Sequence, residues 1–308
     1  MLVRKSLRVL ILFKKAFKSL KNNDPLRMGA ATAFFAFFAL PPISILLSKL
    51  LSVLLGNTEQ MISGKWFQQL AEVFGRKSAS QLENISENLK HIPHSPVFTI
   101  VGVFVLLLSA TTLFTLIKGS LNQLWNIKQK SKGKKSKIYF LEDRLIGLAI
   151  ILFSSVLFIV SLLTDIFLAS VKKYLALYLP LHQELISTLV NHILSLTILS
   201  LWFAILFKYL PNVKVRWKAV WIGAFVTSLL YKAGTYILDI VLINGQAEKI
   251  FGASASIVLV LLFVFYSSLI FYYGAAFTKA YTYYSRLLLR PTANAIVYQI
   301  TEIETDEE

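Results

Sequence analysis

The sequence predicts an all-α, polytopic membrane protein with six transmembrane helices and both termini in the cytoplasm. Three observations carry that expectation. The 308-residue chain is 56% hydrophobic with a mean hydropathy of +0.64, above the roughly 45–50% apolar content of soluble domains. Its apolar residues gather into runs of about 20 or more, the length that crosses a hydrocarbon core about 30 Å thick. Its lysines and arginines are shared unequally between the segments that join those runs.

Within an N-terminal segment 1–24, residues 2–21 read as a basic amphipathic helix lying in the headgroup plane. Val3, Leu7, Leu10, Phe13, Phe17 and Leu20 recur at spacings of three and four, with Arg4, Arg8, Lys15 and Lys18 on another face. A helix of that pattern rests on a bilayer rather than crossing it. Its uncharged run VLILF is too short for the core of a signal peptide.

The transmembrane domain is expected over residues 25–290. The first span covers about 29–55, with Pro41 and Pro42 at its midpoint. Two missing backbone donors predict a hinge or a broken helix there. An outer loop at 56–95 reads as two short amphipathic helices stopped by Pro93 and Pro96. The second span is about 97–124, the third 145–171 and the fourth 185–207. The fifth, 217–243, and the sixth, 253–280, flank the short polar break NGQAEKIFG. A break that short joins only antiparallel neighbours, so these two spans form a hairpin. Pro291 is expected to end the last helix, leaving 291–308 as an acidic, mobile tail.

Charge fixes the orientation. Eight lysines and arginines precede the first span. Seven follow the second, four follow the fourth and three follow the sixth, 22 in all, against seven in the alternate loops. Cytoplasmic loops carry that excess, which puts both termini of this multi-pass protein on the cytoplasmic side. It also accounts for most of the net charge of +16. The lysines lack the interleaved aromatic residues of a nucleic-acid surface. The partner they imply is the lipid bilayer, with anionic lipid headgroups at the cytoplasmic face, and a homo-oligomer is compatible with the pattern. The chain has no cysteine, which excludes disulfides, thiolate catalysis and Cys-ligated metals.

Polar residues inside the spans supply the candidate site. The second span carries Thr111, Thr115, Lys118 and Asn122 on one helical face. The third carries Ser154, Ser161 and Asp165, the fourth Thr188, His192 and Ser195, and the fifth Ser228, Lys232, Thr235 and Asp239. At about 1.5 Å per residue, Asp165, Asp239, His192 and Lys49 fall in the outer half of the membrane, with Lys232 near its midplane. Ionisable residues at such depth face a bundle interior or a wet cavity. Two readings remain open: structural ion pairs between Lys49 and the aspartates, or an outward-facing polar cavity for a cation, a proton or an anionic headgroup. No metal site and no cofactor are expected. His91, His94 and His182 lie in loops without ligand spacing.

Several stretches together resemble the YihY/BrkB family of bacterial inner-membrane proteins. They are AATAFFAFFALPP in the first span, LNQLW at 121–125, KYLPN at 208–212, then Gly223, Tyr236, Gly252, Tyr266, Ser267, Gly274 and Ala275. The likeness runs from about Arg27 to Arg290. It implies six transmembrane helices in a bacterial plasma membrane, without an established activity. The ribonuclease label once given to some members finds no support in a chain lacking a soluble catalytic domain. Phe251, Phe263 and Ala276 depart from the family's usual Tyr, Trp and acidic residue, so a proton-carrying carboxylate in the last helix does not carry over. No catalytic constellation is present, so a non-enzyme is expected. The functional choices are a transporter or lipid- or ion-handling protein, and a non-transporting envelope scaffold.

Overall fold

The computed structural model describes residues 2–39, 64, 83–84, 112–129, 183–243, 255–287, 289–292 and 295–299, with short helical pieces between 145 and 160. Pro41, Pro42, Lys49, most of the 56–95 loop, Thr111, the lysine-rich loop at 130–137, Asp165, the break at 244–252 and the tail from 300 lie outside the described residues.

The described chain is mostly helical. Helix α1 is Leu2–Lys21, α2 is Pro25–Ala39, and α3 is residues 112–124. Helix α4 is Gln183–Tyr209, α5 is Trp217–Ile243 and α6 is Ala255–Tyr284. Two stretches, Ile186–Tyr209 and Ile257–Tyr284, are long and apolar enough to cross a membrane. Four short strands are β1 Ile127–Gln129, β2 Val213–Lys214, β3 Arg290–Pro291 and β4 Ala295–Val297.

Helix α6 is the hub. Gly223 and Thr227 on α5 oppose Thr278 and Gly274 on α6 in antiparallel register. A Cβ added at Gly223 would overlap the Thr278 hydroxyl, and one at Gly274 would overlap Thr227. Farther along, the Tyr266 ring fills the space beside Gly234. Small residues allow this approach, and in lipid close backbone packing drives helix association. Helix α4 joins through Phe203 and Phe207, whose rings lie 6.1 and 5.3 Å from Phe271. Helix α2 sets Gly29 against Phe265 and Leu269, and Thr32 Oγ1 lies 2.7 Å from the Tyr272 hydroxyl.

Helix α1 forms over the expected residues but buries a different stripe. Leu12, Ala16 and Leu20 are buried, while Leu10 and Phe17 are 72% and 61% exposed. The Phe13 ring lies 4.9 Å from Phe277, and the Tyr273 hydroxyl donates to the Phe13 carbonyl. The i, i+4, i+8 ridge at 12, 16 and 20 meets α6. The apolar arc is thus divided, one edge on protein and the other, with Leu10 and Phe17, free for lipid.

The chain end also differs from expectation. Helix α6 stops at Tyr284, before Pro291. Leu287 N–H bonds the Thr282 carbonyl and Arg286 N–H that of Tyr283, with Arg286 at φ 51°. This is a left-handed helix cap. Pro291 then sits in β3, paired antiparallel with β2, and β4 pairs with β1. Pairing over two or three residues, between segments far apart in sequence, leaves no periodic signal, so these strands are illegible locally.

Enlarging either clasp glycine should loosen the bundle. Gly274→Ala is expected to lower the melting temperature in detergent, because overpacking costs about 1–3 kcal/mol. Gly274→Ala combined with Thr227→Gly should recover part of that loss.

Candidate functional site

The residues singled out from sequence separate into three environments. On α4 and α5 the expected stripe does converge in part. Ser200 Oγ donates to Ser228 Oγ at 3.0 Å. Lys232 Nζ donates to Ser195 Oγ at 3.1 Å and to the His192 carbonyl at 3.4 Å. Lys232 therefore meets the backbone of His192, whose side chain is exposed. Thr235 Oγ1 turns back to the carbonyls of its own helix at Tyr231 and Lys232, and Thr188 is exposed. Asp239 lies on α5, but its side chain is outside the described part, as are Asp165 and Lys49.

Of the second-span stripe, Thr115, Lys118 and Asn122 lie among the described residues. Thr115 is exposed and Lys118 is buried. Asn122 Oδ1 accepts the backbone N–H of Asn212 at 2.8 Å, which ties LNQLW to the turn after α4. Gln123 Oε1 accepts from Arg27 at 3.3 Å. Lys279 Nζ donates to the Leu124 carbonyl at 2.6 Å and to Asn126 Oδ1 at 3.1 Å. A cation there satisfies carbonyls at the C-terminus of α3 and suits the helix dipole. Asn126 adopts φ 56°, a conformation asparagine tolerates, and its carbonyl accepts Tyr298 N–H. The ends of α3, α4 and α6, the start of α2 and the chain end thus meet at one end of the bundle.

Among the cavities lined by described residues, two bear on function. The first, ≈ 240 Å³, lies among five helices halfway along α5 and α6. Thr32, Ile117, Trp202, Phe203, Tyr231 and Phe271 are among its walls. It is mainly apolar. Two of its hydroxyls are already engaged, Thr32 with the Met28 carbonyl and Tyr272, and Ser268 with the Val264 carbonyl. Among the described side chains, neither His192 nor Lys232 lines it.

The second is an open cleft of ≈ 750 Å³ at the end where the segments meet. Lys208, Lys214, Arg216, Lys218, Arg286 and Arg290 line it, with Trp217 among them. From sequence these six cations count as part of an orientation signal and of a general contact with anionic headgroups, not as one site. Three segments bring them together: the turn after α4, the first turn of α5, and the cap of α6 with β3. The only local hint was the dense run KVRWK at 214–218.

Removing the Lys279 ammonium should unlock α3 from α6. Lys279→Met is expected to cost about 1–3 kcal/mol by stranding buried carbonyl groups. A thermal melt in detergent reads this as a lowered midpoint, and Lys279→Arg should keep most of the stability.

Residues 16–295 match the model of a family described as Virulence factor BrkB. Among curated proteins, the chain is 25% identical over 279 residues to a UPF0761 membrane protein of Teredinibacter turnerae, covering 89% of this chain and 61% of that protein. It is 30% identical over 190 residues to a UPF0761 membrane protein of Tolumonas auensis, covering 58% and 56%. It is 26% identical over 198 residues to the UPF0761 membrane protein YihY of Salmonella typhimurium, covering 64% and 63%. The chain spans about three fifths of the length of these curated relatives. No solved structure matches it.

Proposed function

The chain belongs to the BrkB family of membrane proteins, and from that premise we propose that it is a six-span plasma-membrane protein that handles lipid within its helix bundle. The observation that carries this reading is the ≈ 240 Å³ cavity at mid-bundle. A cavity of about 150 Å³ lined by apolar side chains stays dry and holds a benzene-sized guest. This one has room for a length of acyl chain. A bare ion there would face mostly apolar walls and pay its desolvation in full. Lipid is therefore favoured over ion or proton transport.

The convergence of segments at one end supports the six-span topology. Residues 27, 122, 123, 126, 212, 279 and 298 are joined there by hydrogen bonds. An even number of crossings must separate the junctions after α3, α4 and α6. With 22 of the cations on that side, the end is assigned to the cytoplasm.

A scaffold role is the second reading. It is favoured by Lys232, whose ammonium is bonded across α4 and α5 by a serine and a carbonyl. Such a bond holds helices together without any guest.

Topology is checked by cysteine substitution, since the wild type has none. An impermeant thiol reagent on intact cells should label His182→Cys and spare Lys132→Cys; the reverse pattern defeats the assignment. The cavity is checked by filling it. Ala36→Leu should slow the movement of a fluorescent phospholipid across proteoliposomes several-fold while leaving the melting temperature unchanged or raised. Equal rates for wild type, Ala36→Leu and protein-free vesicles would leave the scaffold reading standing.

A further inference from the structure

We propose that the basic cleft at the bundle end is a specific binding site for one anionic phospholipid, its phosphate headgroup among the cations and an acyl chain along the outer face of α5. This goes beyond the reading of the mid-bundle cavity, because a bound headgroup requires no lipid movement.

The charges in the cleft are arranged against local electrostatic preference. Lys214 and Arg290 are directly opposed in the β2–β3 pair, where like charges destabilise a ladder. Arg216 and Lys218 flank the first turn of α5, which has no acidic residue. That end of a helix carries positive partial charge and ordinarily takes acids. The Arg216 carbonyl accepts the N–H groups of Ala219 and Val220, and the first N–H groups of a helix have no partner within it. Arg286 occupies the left-handed cap position, where glycine is the usual residue. Among the described residues, the one ion pair within 4.0 Å is Arg27–Asp24, away from the cleft. Lys208 alone of the six is engaged locally. It donates to the Val215 carbonyl at 2.6 Å and lies 5.2 Å from the Trp217 ring centre.

An anion in the cleft reverses the two electrostatic penalties. It separates Lys214 from Arg290, meets the free end of α5 and gives Arg286 a counter-charge. Phosphate is the anion whose oxygens suit several arginine forks at once. The neighbouring surface specifies lipid as its source. Trp217, Trp221, Phe225 and Leu229, at successive i+4 positions of α5, are 43%, 44%, 48% and 46% exposed. The Tyr209 and Trp221 rings lie 6.2 and 6.5 Å from Trp217. Tryptophan and tyrosine mark the membrane interface. The ridge runs from the cleft into the hydrocarbon, as an acyl chain does from its headgroup.

The test uses the purified full-length protein in nanodiscs carrying a small fraction of bromine-labelled lipid. Bromine quenches indole fluorescence at short range, so Trp217 and Trp221 report lipid beside the ridge. Brominated phosphatidylglycerol should quench several-fold more than brominated phosphatidylcholine at equal content. The excess should fall with added salt and vanish in Trp217→Phe/Trp221→Phe. Arg216→Gln, Lys218→Gln and Arg290→Gln should each weaken the preference roughly fivefold, the worth of one near-surface charge. Lys14→Gln/Lys21→Gln, which removes two cations of α1, should leave it unchanged. Equal quenching by the two lipids in the wild type overturns the proposal whatever the variants do. So does a preference lost in the α1 control but kept in the cleft variants. Displacement of phosphatidylglycerol by millimolar pyrophosphate overturns the lipid assignment in favour of a soluble phosphate ligand. None of these readings depends on lipid crossing the bundle, so failure of the proteoliposome assay and failure of the cleft are separately visible.

Discussion

The rest of the bundle depends on the reciprocal fit between α5 and α6. Gly223 faces Thr278 and Gly274 faces Thr227. Each threonine hydroxyl donates to the carbonyl of the glycine four residues before it, Thr227 to Gly223 and Thr278 to Gly274. The hydroxyls are thus satisfied inside their own helices, and the contact between helices reduces to shape. That matters in lipid, where burying apolar area between helices gains little because the tails are equally apolar. With this register fixed, α6 can present its remaining faces: Tyr272 to α2, Phe271 to α4, Phe277 to α1 and Lys279 to α3. A displaced α6 would lose all four at once.

Much of this arrangement is readable from sequence because it rests on period and length. The bounds of α1 and α5 agree with those expected, and α4 extends two residues beyond them at each end. The fifth-span stripe also survives in part, since Ser228 and Lys232 do meet α4. A helical period can place those residues on one face. It cannot say which neighbour the face meets, and Lys232 meets a serine hydroxyl and a main-chain oxygen of α4. The apolar arc of α1 is divided for a related reason. Two overlapping apolar faces run along that helix, and only contact with α6 decides that Leu12, Ala16 and Leu20 are the buried set.

The bundle end was less legible because its geometry comes from caps and pairings between distant segments. LNQLW and KYLPN carried the family resemblance without a physical reason. The structure supplies one: the Asn122 side chain holds the backbone of Asn212, while Leu121, Leu124, Trp125 and Leu210 are buried beside it. Neither motif has meaning alone, since the bond spans 90 residues. The same holds for the four strands. Val213, Val215, Ile127 and Ala295 are buried there, and the segments that supply them come from opposite parts of the chain.

On the proposed cytoplasmic orientation, the basic residues at that end face two demands that sequence cannot separate. Orientation requires only that cations lie on the cytoplasmic side within reach of a span. Any position in a loop satisfies it, and dispersed lysines satisfy it with the least mutual repulsion. The six around the cleft are not dispersed. Two oppose each other across a strand pair, two sit at the positive end of a helix dipole, and one takes a backbone conformation that costs an L-residue about 1–2 kcal/mol. Orientation rewards none of these choices. Departures from local preference concentrate where a protein binds something that offsets them. An anion turns the first two from repulsion into attraction and gives the Arg286 side chain a counter-charge. The apolar ridge leading away from the cleft on α5 then explains why that anion should arrive attached to an acyl chain.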